Sequence, residues 1–204
     1  MKETFTNWRF ILGLVIAHVL IYFAFSQSKV FWYIITGAML FLIAFVILQE
    51  ETDDRLSVGR YLLYGLLSGV LIYIIFWIGN FLIDLFHIKY FSKQVTKLYR
   101  LFAPEHILHY IALILILIPG EEIFWRGFVQ KHLLKNTTMW KSVIISSLLY
   151  ASVQIYSGYF ILIIAAFICG IFWGYLYATK RSLPLVIISH LVFDLLLLVL
   201  FPLR

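Results

Sequence analysis

Apolar runs about as long as a bilayer is thick recur from one end of this 204-residue sequence to the other. A helix needs about 20 mostly apolar residues to cross the hydrocarbon core. Runs of that kind cover 8–25, 31–48, 61–86, 106–131, 141–157, 160–179 and 184–203. Each has to be helical, because hydrocarbon offers no partner to a free backbone N–H or C=O. The expectation is an all-α fold, a polytopic membrane helical bundle of about seven transmembrane helices, with residues 1–204 as one integral membrane domain. The sequence is 63% hydrophobic, against about 45–50% apolar content in soluble domains. That leaves no length for a separate soluble module.

The formal charge of +6 does not argue for nucleic acid, because the Lys and Arg residues sit in the short connections, where they set membrane orientation. With the N-terminus inside, the inner connections carry Lys2, Arg9, Arg55, Arg60, Lys131, Lys135, Lys141, Lys180 and Arg181. The outer ones carry Lys29, Lys89, Lys93, Lys97, Arg100 and Arg204. The balance favours an inside N-terminus, with the basic 88–105 segment against the trend. Lys93, Lys97 and Arg100 are spaced for a short amphipathic helix at the membrane interface. The 49–60 segment, with Glu50, Glu51, Asp53 and Asp54, reads as a solvated loop. Lys2, Arg9 and Ala24-Phe25-Ser26 loosely resemble a signal peptide, but further spans follow, and the first run is read as retained. Cys169, the sole cysteine, forms no intrachain disulfide and reads as a small packing residue.

Against this background the run Glu121-Glu122-Ile123-Phe124-Trp125-Arg126 is costly. A charged side chain at the bilayer centre costs about 2.5–3.5 kcal/mol on insertion scales. These groups must pair, face a wet cavity or do chemistry. Glu122 and Arg126 are four apart and share a helix face, so an ion pair is expected. Glu121 is turned about 100° from Glu122 and is directed elsewhere. Pro119-Gly120 invites a kink just before them. Two further groups occur on later spans: Tyr150 with Gln154, and His190 with Asp194, the latter again four apart. At 1.5 Å per residue, Glu121 lies about 15 Å from the 132–141 connection, Gln154 about 20 Å and His190 about 9 Å from connections on the same side. A shared intramembrane site is geometrically allowed. The plainer alternative is a set of structural ion pairs and interhelical hydrogen bonds.

Glu121-Glu122-x-x-x-Arg126, then an aromatic-x-x-x-His position, then His190-x-x-x-Asp194 resemble the motifs of the CPBP family, the Abi-type CAAX prenyl proteases and bacterial relatives linked to bacteriocin processing. Phe124-Trp125-Arg126-Gly127-Phe128 and Gly170-x-x-x-Gly174-Tyr175-Leu176-Tyr177 also resemble it, and the likeness covers residues 103–203. The resemblance implies an intramembrane endopeptidase, multi-pass in a bacterial-type cell membrane, acting on a membrane-associated, CAAX-like peptide or protein substrate. It makes Glu121 the general base on water, with His190 and Asp194 supporting the transition state. Glu122, Arg126 and Tyr150 become supporting residues. Its partners are membrane lipid and the substrate, with no nucleic acid and no cofactor.

One position departs. The second motif calls for aromatic-x-x-x-His, and this chain has Tyr150-Ala151-Ser152-Val153-Gln154. Gln154 can hold a water but cannot carry a proton, and general acid–base assistance is worth about 10²–10⁴-fold. The alternative reading is therefore a catalytically degenerate scaffold that binds a membrane partner in immunity or envelope regulation. His132 and His109 are weaker substitutes for the missing histidine. No H-E-x-x-H, G-x-S-x-G or Gly-x-Gly-Asp signature is present, and the set without that histidine is poor for zinc, so no metal is expected. A transporter or proton relay would need a polar path on both sides of Glu121, and Ile111–Ile118 is wholly apolar. Asn80, Asp84 and His87 form one further polar stripe, either a groove or a packing face. His18 reads as an interhelical contact.

Overall fold

The computed structural model describes residues 7–51 and 53–203; Lys2 and Arg204 of the charge comparison lie outside them. Eight helices account for these residues: α1 (Trp8–Ser26), α2 (Phe31–Ile47), α3 (Val58–Leu85), α4 (Lys89–Phe102), α5 (Ile107–Asn136), α6 (Met139–Val153), α7 (Phe160–Lys180) and α8 (Leu183–Leu200). The described residues contain no strand, only an isolated bridge between Asp54 and Ser182. The chain is a multi-pass membrane protein. Six helices, α1, a run continuing through Ser28–Ile47, α3, α5, α7 and α8, are long and apolar enough to cross a bilayer.

The seventh expected span differs. The apolar run 141–157 is a 15-residue helix, α6, followed by a 3₁₀ turn, Gln154–Ser157. Gly158, at φ 75°, then takes a left-handed conformation that reverses the chain, a geometry glycine adopts without steric cost. The apolar letters continue through the turn, so composition alone overran the helix end. About six is thus the number of full-length spans, and α6 is the short one lodged among them.

Two close-packed helix pairs set the interior. Along its 28 residues α3 buries only Gly65, Gly69 and Ile72, one stripe against α8. A Cβ on Gly69 would lie 2.6 Å from the carbonyl oxygen of Ser189. Small residues four apart are what lets two membrane helices approach this closely. Ser68 seals the crossing by donating to Ser189 Oγ at 2.9 Å. In the second pair, a Cβ on Gly170 of α7 would sit 2.8 Å from Ser147 Cβ of α6. The outward faces of α3 keep Leu62, Leu66, Leu71, Trp77 and Phe81 exposed, as expected of a helix bathed in lipid.

The two ends are closed differently. At one end the 49–57 loop meets the start of α8 and the end of α5. Leu183 N donates to Asp53 O (2.8 Å), Ser182 Oγ to Asp54 Oδ1 (2.8 Å), and Lys131 pairs with Asp53 (3.2 Å). These contacts put the 49–57, 131–138 and 180–183 connections on one side, as the span count requires. At the other end α4 lies with Lys93, Lys97 and Arg100 exposed and Gln94 buried. Gln94 Oε1 accepts from Ile161 N at 2.9 Å, and Tyr99 donates to Leu197 O at 2.8 Å. The expected amphipathic helix is therefore present, tied down by its inward face.

Candidate functional site

Helix α5 is irregular where it carries the charges. Pro119 has no N–H to donate, and π-helical stretches flank it at Leu113–Leu117 and Ile123–Gln130. Such wide turns are rare and recur at functional sites. Glu121 and Glu122 lie between the two stretches, and Arg126 lies in the second.

The adjacent glutamates have opposite fates. Glu122 is fully buried (0% exposed), and both its oxygens face nitrogens. Oε1 lies 2.8 Å from His190 Nδ1 and Oε2 3.2 Å from Arg126 Nε. The Arg126 N–H is not aimed along that pair, so the attraction is coulombic rather than a directed hydrogen bond. Glu121 is only partly buried. Tyr150 donates to its Oε2 at 2.7 Å, and its Oε1 hydrogen-bonds nothing among the described residues.

Arg126, 2% exposed, is held from three sides. Its guanidinium lies over the ring of Tyr150 at 5.0 Å and that of Trp173 at 5.7 Å, and Nη2 donates to Cys169 O at 3.4 Å. These contacts, with Glu122, offset the large cost of burying a cation. His190 is bracketed likewise. Nδ1 faces Glu122, Nε2 lies 3.6 Å from Asp194 Oδ2, and the ring stacks on Trp173 with centroids 3.9 Å apart. Trp173 is itself pinned, donating from Nε1 to Ser189 Oγ at 3.1 Å.

The structure thus brings together Glu121, Glu122, Arg126, Tyr150, His190 and Asp194 from α5, α6 and α8. Three sequence expectations hold geometrically: the Glu122–Arg126 pair, the shared face of His190 and Asp194, and the divergence of Glu121 from Glu122. Asp194 is the looser neighbour of His190: Glu122 Oε1 lies 2.8 Å from Nδ1, against 3.6 Å from Asp194 Oδ2 to Nε2, because α5 passes closer to the ring than one turn of α8 brings Asp194. Gln154 stands apart. It is buried at the start of the 3₁₀ turn, its carbonyl accepts from Ser157 Oγ, and its amide makes no side-chain hydrogen bond among the described residues.

The remaining polar groups are occupied elsewhere. His109 stacks on Trp32 and His132 on Phe10. His18 joins α1 to α6: Tyr156 OH is 3.0 Å from Nδ1 and Ser152 Oγ 3.3 Å from Nε2. Ser152 already donates to Leu149 O, so its oxygen accepts from Nε2–H and Nδ1 accepts from Tyr156. Cys169 is buried, as expected of a packing residue. A surface cavity of about 600 Å³ is lined by Tyr73, Trp77, Asn80, Asp84 and Phe201. It takes in the Asn80–Asp84 part of the α3 stripe and none of the α5 carboxylates.

Two residues escaped the sequence reading. Trp173 falls inside the Gly170–Gly174 stretch, where it reads as one more apolar letter. Ser189 precedes His190, and the signal for it was on another helix: Gly65-x-x-x-Gly69 marks where a partner backbone comes close.

Residues 103–196 match the Rce1-like family, type II CAAX prenyl endopeptidases. The likeness covers a little under half of this chain. No curated protein and no solved structure matches it. The Rce1-like segment begins just before α5 and ends two residues beyond Asp194, so it contains all six clustered residues and excludes α1–α4. It supports the fold of a CAAX-type membrane protease and agrees with the family motifs seen in the sequence.

Proposed function

We propose that the protein is an intramembrane endopeptidase, itself a multi-pass protein of a bacterial-type plasma membrane. It hydrolyses a peptide bond of a membrane-associated, CAAX-like substrate with water activated by Glu121. Residues 103–203 are the unit that carries the chemistry. The carrying observation is the division of labour between the two glutamates: Glu122 commits both oxygens to His190 and Arg126, while Glu121 keeps Oε1 open and is partly exposed. A base needs a free lone pair within hydrogen-bond reach of the water it deprotonates.

Glu121 takes a proton from water as the water oxygen bonds to the scissile carbonyl carbon. The carbonyl π electrons move onto oxygen. His190, carrying a proton on both nitrogens between Glu122 and Asp194, donates from Nε2 to that oxyanion, and donors aimed where charge develops are the most effective. Glu121 then returns the proton to the amide nitrogen as the C–N bond breaks. Glu122, Arg126 and Trp173 hold His190 in place, and Asp194 stands behind its second nitrogen.

The test is cleavage of a farnesylated peptide ending in a CAAX sequence, and of a single-span peptide library, by protein reconstituted in liposomes. Wild type cleaves, and Glu121→Gln falls by at least about 10²-fold. The scaffold reading rests on Gln154; a silent wild type with activity appearing in Gln154→His would establish it and end the protease reading.

A further inference from the structure

The second motif requires only an aromatic residue at position 150, and tyrosine adds a hydroxyl. We propose that the Tyr150 hydroxyl is a catalytic hydrogen-bond donor to the oxyanion, stabilising the transition state in a chain that lacks the histidine at position 154. The proposal rests on the protease reading above. The hydroxyl lies 2.7 Å from Glu121 Oε2, on the same carboxylate whose Oε1 is open to water. An ionised carboxylate only accepts, so the tyrosine donates. Its ring is held between the Arg126 guanidinium at 5.0 Å and Trp125 at 5.4 Å and is 6% exposed. The oxygen is therefore placed in advance, and only the O–H bond needs to turn. Gln154, in contrast, makes no side-chain hydrogen bond to any of the clustered residues among the described residues.

The sequence of events balances without a co-reactant. While Glu121 is a carboxylate, the Tyr150 O–H rests on Oε2. Water gives its proton to Glu121, and its oxygen bonds to the carbonyl carbon. The protonated carboxyl is a weaker acceptor than the new oxyanion, so the O–H turns to the oxyanion. When the C–N bond breaks, Glu121 passes its proton to the nitrogen and the carbonyl reforms. Tyr150 keeps its own proton throughout and returns to Oε2. The water contributes its hydroxyl to the acid product and its hydrogen to the amine.

The experiment uses the full chain in liposomes with a farnesylated CAAX-ending peptide, comparing wild type, Glu121→Gln, Tyr150→Phe and 3-fluorotyrosine at position 150. Loss of one such donor lowers kcat by about 10²–10³-fold, so Tyr150→Phe shows that fall with KM little changed. Fluorination makes the hydroxyl a stronger hydrogen-bond donor while the ring keeps its place. The kcat of the fluorotyrosine protein therefore shifts with KM little changed, an effect that ring packing alone would not produce. A Tyr150→Phe protein with wild-type kcat, beside an inactive Glu121→Gln, overturns the tyrosine proposal and leaves the protease reading standing. Should Tyr150→Phe fail to fold, an unchanged kcat in the fluorotyrosine protein overturns it equally. A silent wild type overturns both.

Discussion

The molecule holds two clusters of charge, one at the loop-bearing end and one inside the bundle, and they are built on opposite terms. At the end, Glu50 and Asp53 face Lys131, Lys135 and Arg181 in four pairs at 2.9–3.6 Å. Asp53 also accepts from the Tyr177 hydroxyl at 2.9 Å. Most of these side chains keep water contact, and each charge has more than one partner or can be solvated. Inside, Glu122, Arg126 and His190 have no water to fall back on. Similar distances therefore carry very different energies. An exposed pair contributes about 0.2–1 kcal/mol, whereas removing one member of a buried pair costs about 3–5 kcal/mol. The outer cluster is a redundant clasp on three connections, and the inner one is a set in which each member is required.

The sharpest way to break this contrast is Glu122→Gln. It leaves Arg126 buried without a counter-charge, and the expected loss is about 3–5 kcal/mol, read by thermal unfolding in detergent. A loss no larger than that of an outer-cluster variant would mean that the two clusters are not different in kind. Gly69→Leu comes next. It sets a side chain against the Ser189 carbonyl, where backbone cannot move aside, and overpacking costs about 1–3 kcal/mol. Because Ser189 also holds Trp173, cleavage falls along with stability; unchanged unfolding would show that the α3–α8 crossing is looser than its geometry.

The outer cluster gives smaller effects. Burial works against ionisation of Asp53, but the Tyr177 hydroxyl, Lys131 and Arg181 outweigh it and hold its carboxyl below the ordinary range. A folded value below the unfolded one adds stability that is complete above about pH 4 and is lost as pH falls through the folded value. Asp53→Asn therefore costs about 1 kcal/mol or less at neutral pH, and the gap from wild type closes on acidification below about pH 4. A gap that persists there would point to packing rather than charge. Lys135→Ala is the smallest, since its side chain is 51% exposed; the change is within about 0.5 kcal/mol and shrinks further at high salt.

The same contrast explains what was readable in advance. Spans were legible because hydropathy is a local property, and five of the seven runs end within about three residues of the helices found. Of the other two, α5 runs five residues beyond its expected end, and the run 141–157 misled because apolar letters continue through a 3₁₀ turn that only Gly158 punctuates. Both intrahelical pairs were legible because i and i+4 face together in any helix. Trp173 was not, because a tryptophan in an apolar run carries no mark of the ring it will stack on.

From the sequence alone came the membrane-spanning bundle, the Glu122–Arg126 and His190–Asp194 pairings and the family motifs, all set by short-range geometry and by the solvent the chain must satisfy. Only the tertiary structure decided that Glu122 rather than Asp194 orients His190 and that Tyr150 holds Glu121. Those contacts join residues 68 and 29 positions apart. Their geometry depends on the wide turns of α5 and on how closely small residues let α8 approach α3, and neither quantity is carried by any one stretch of sequence.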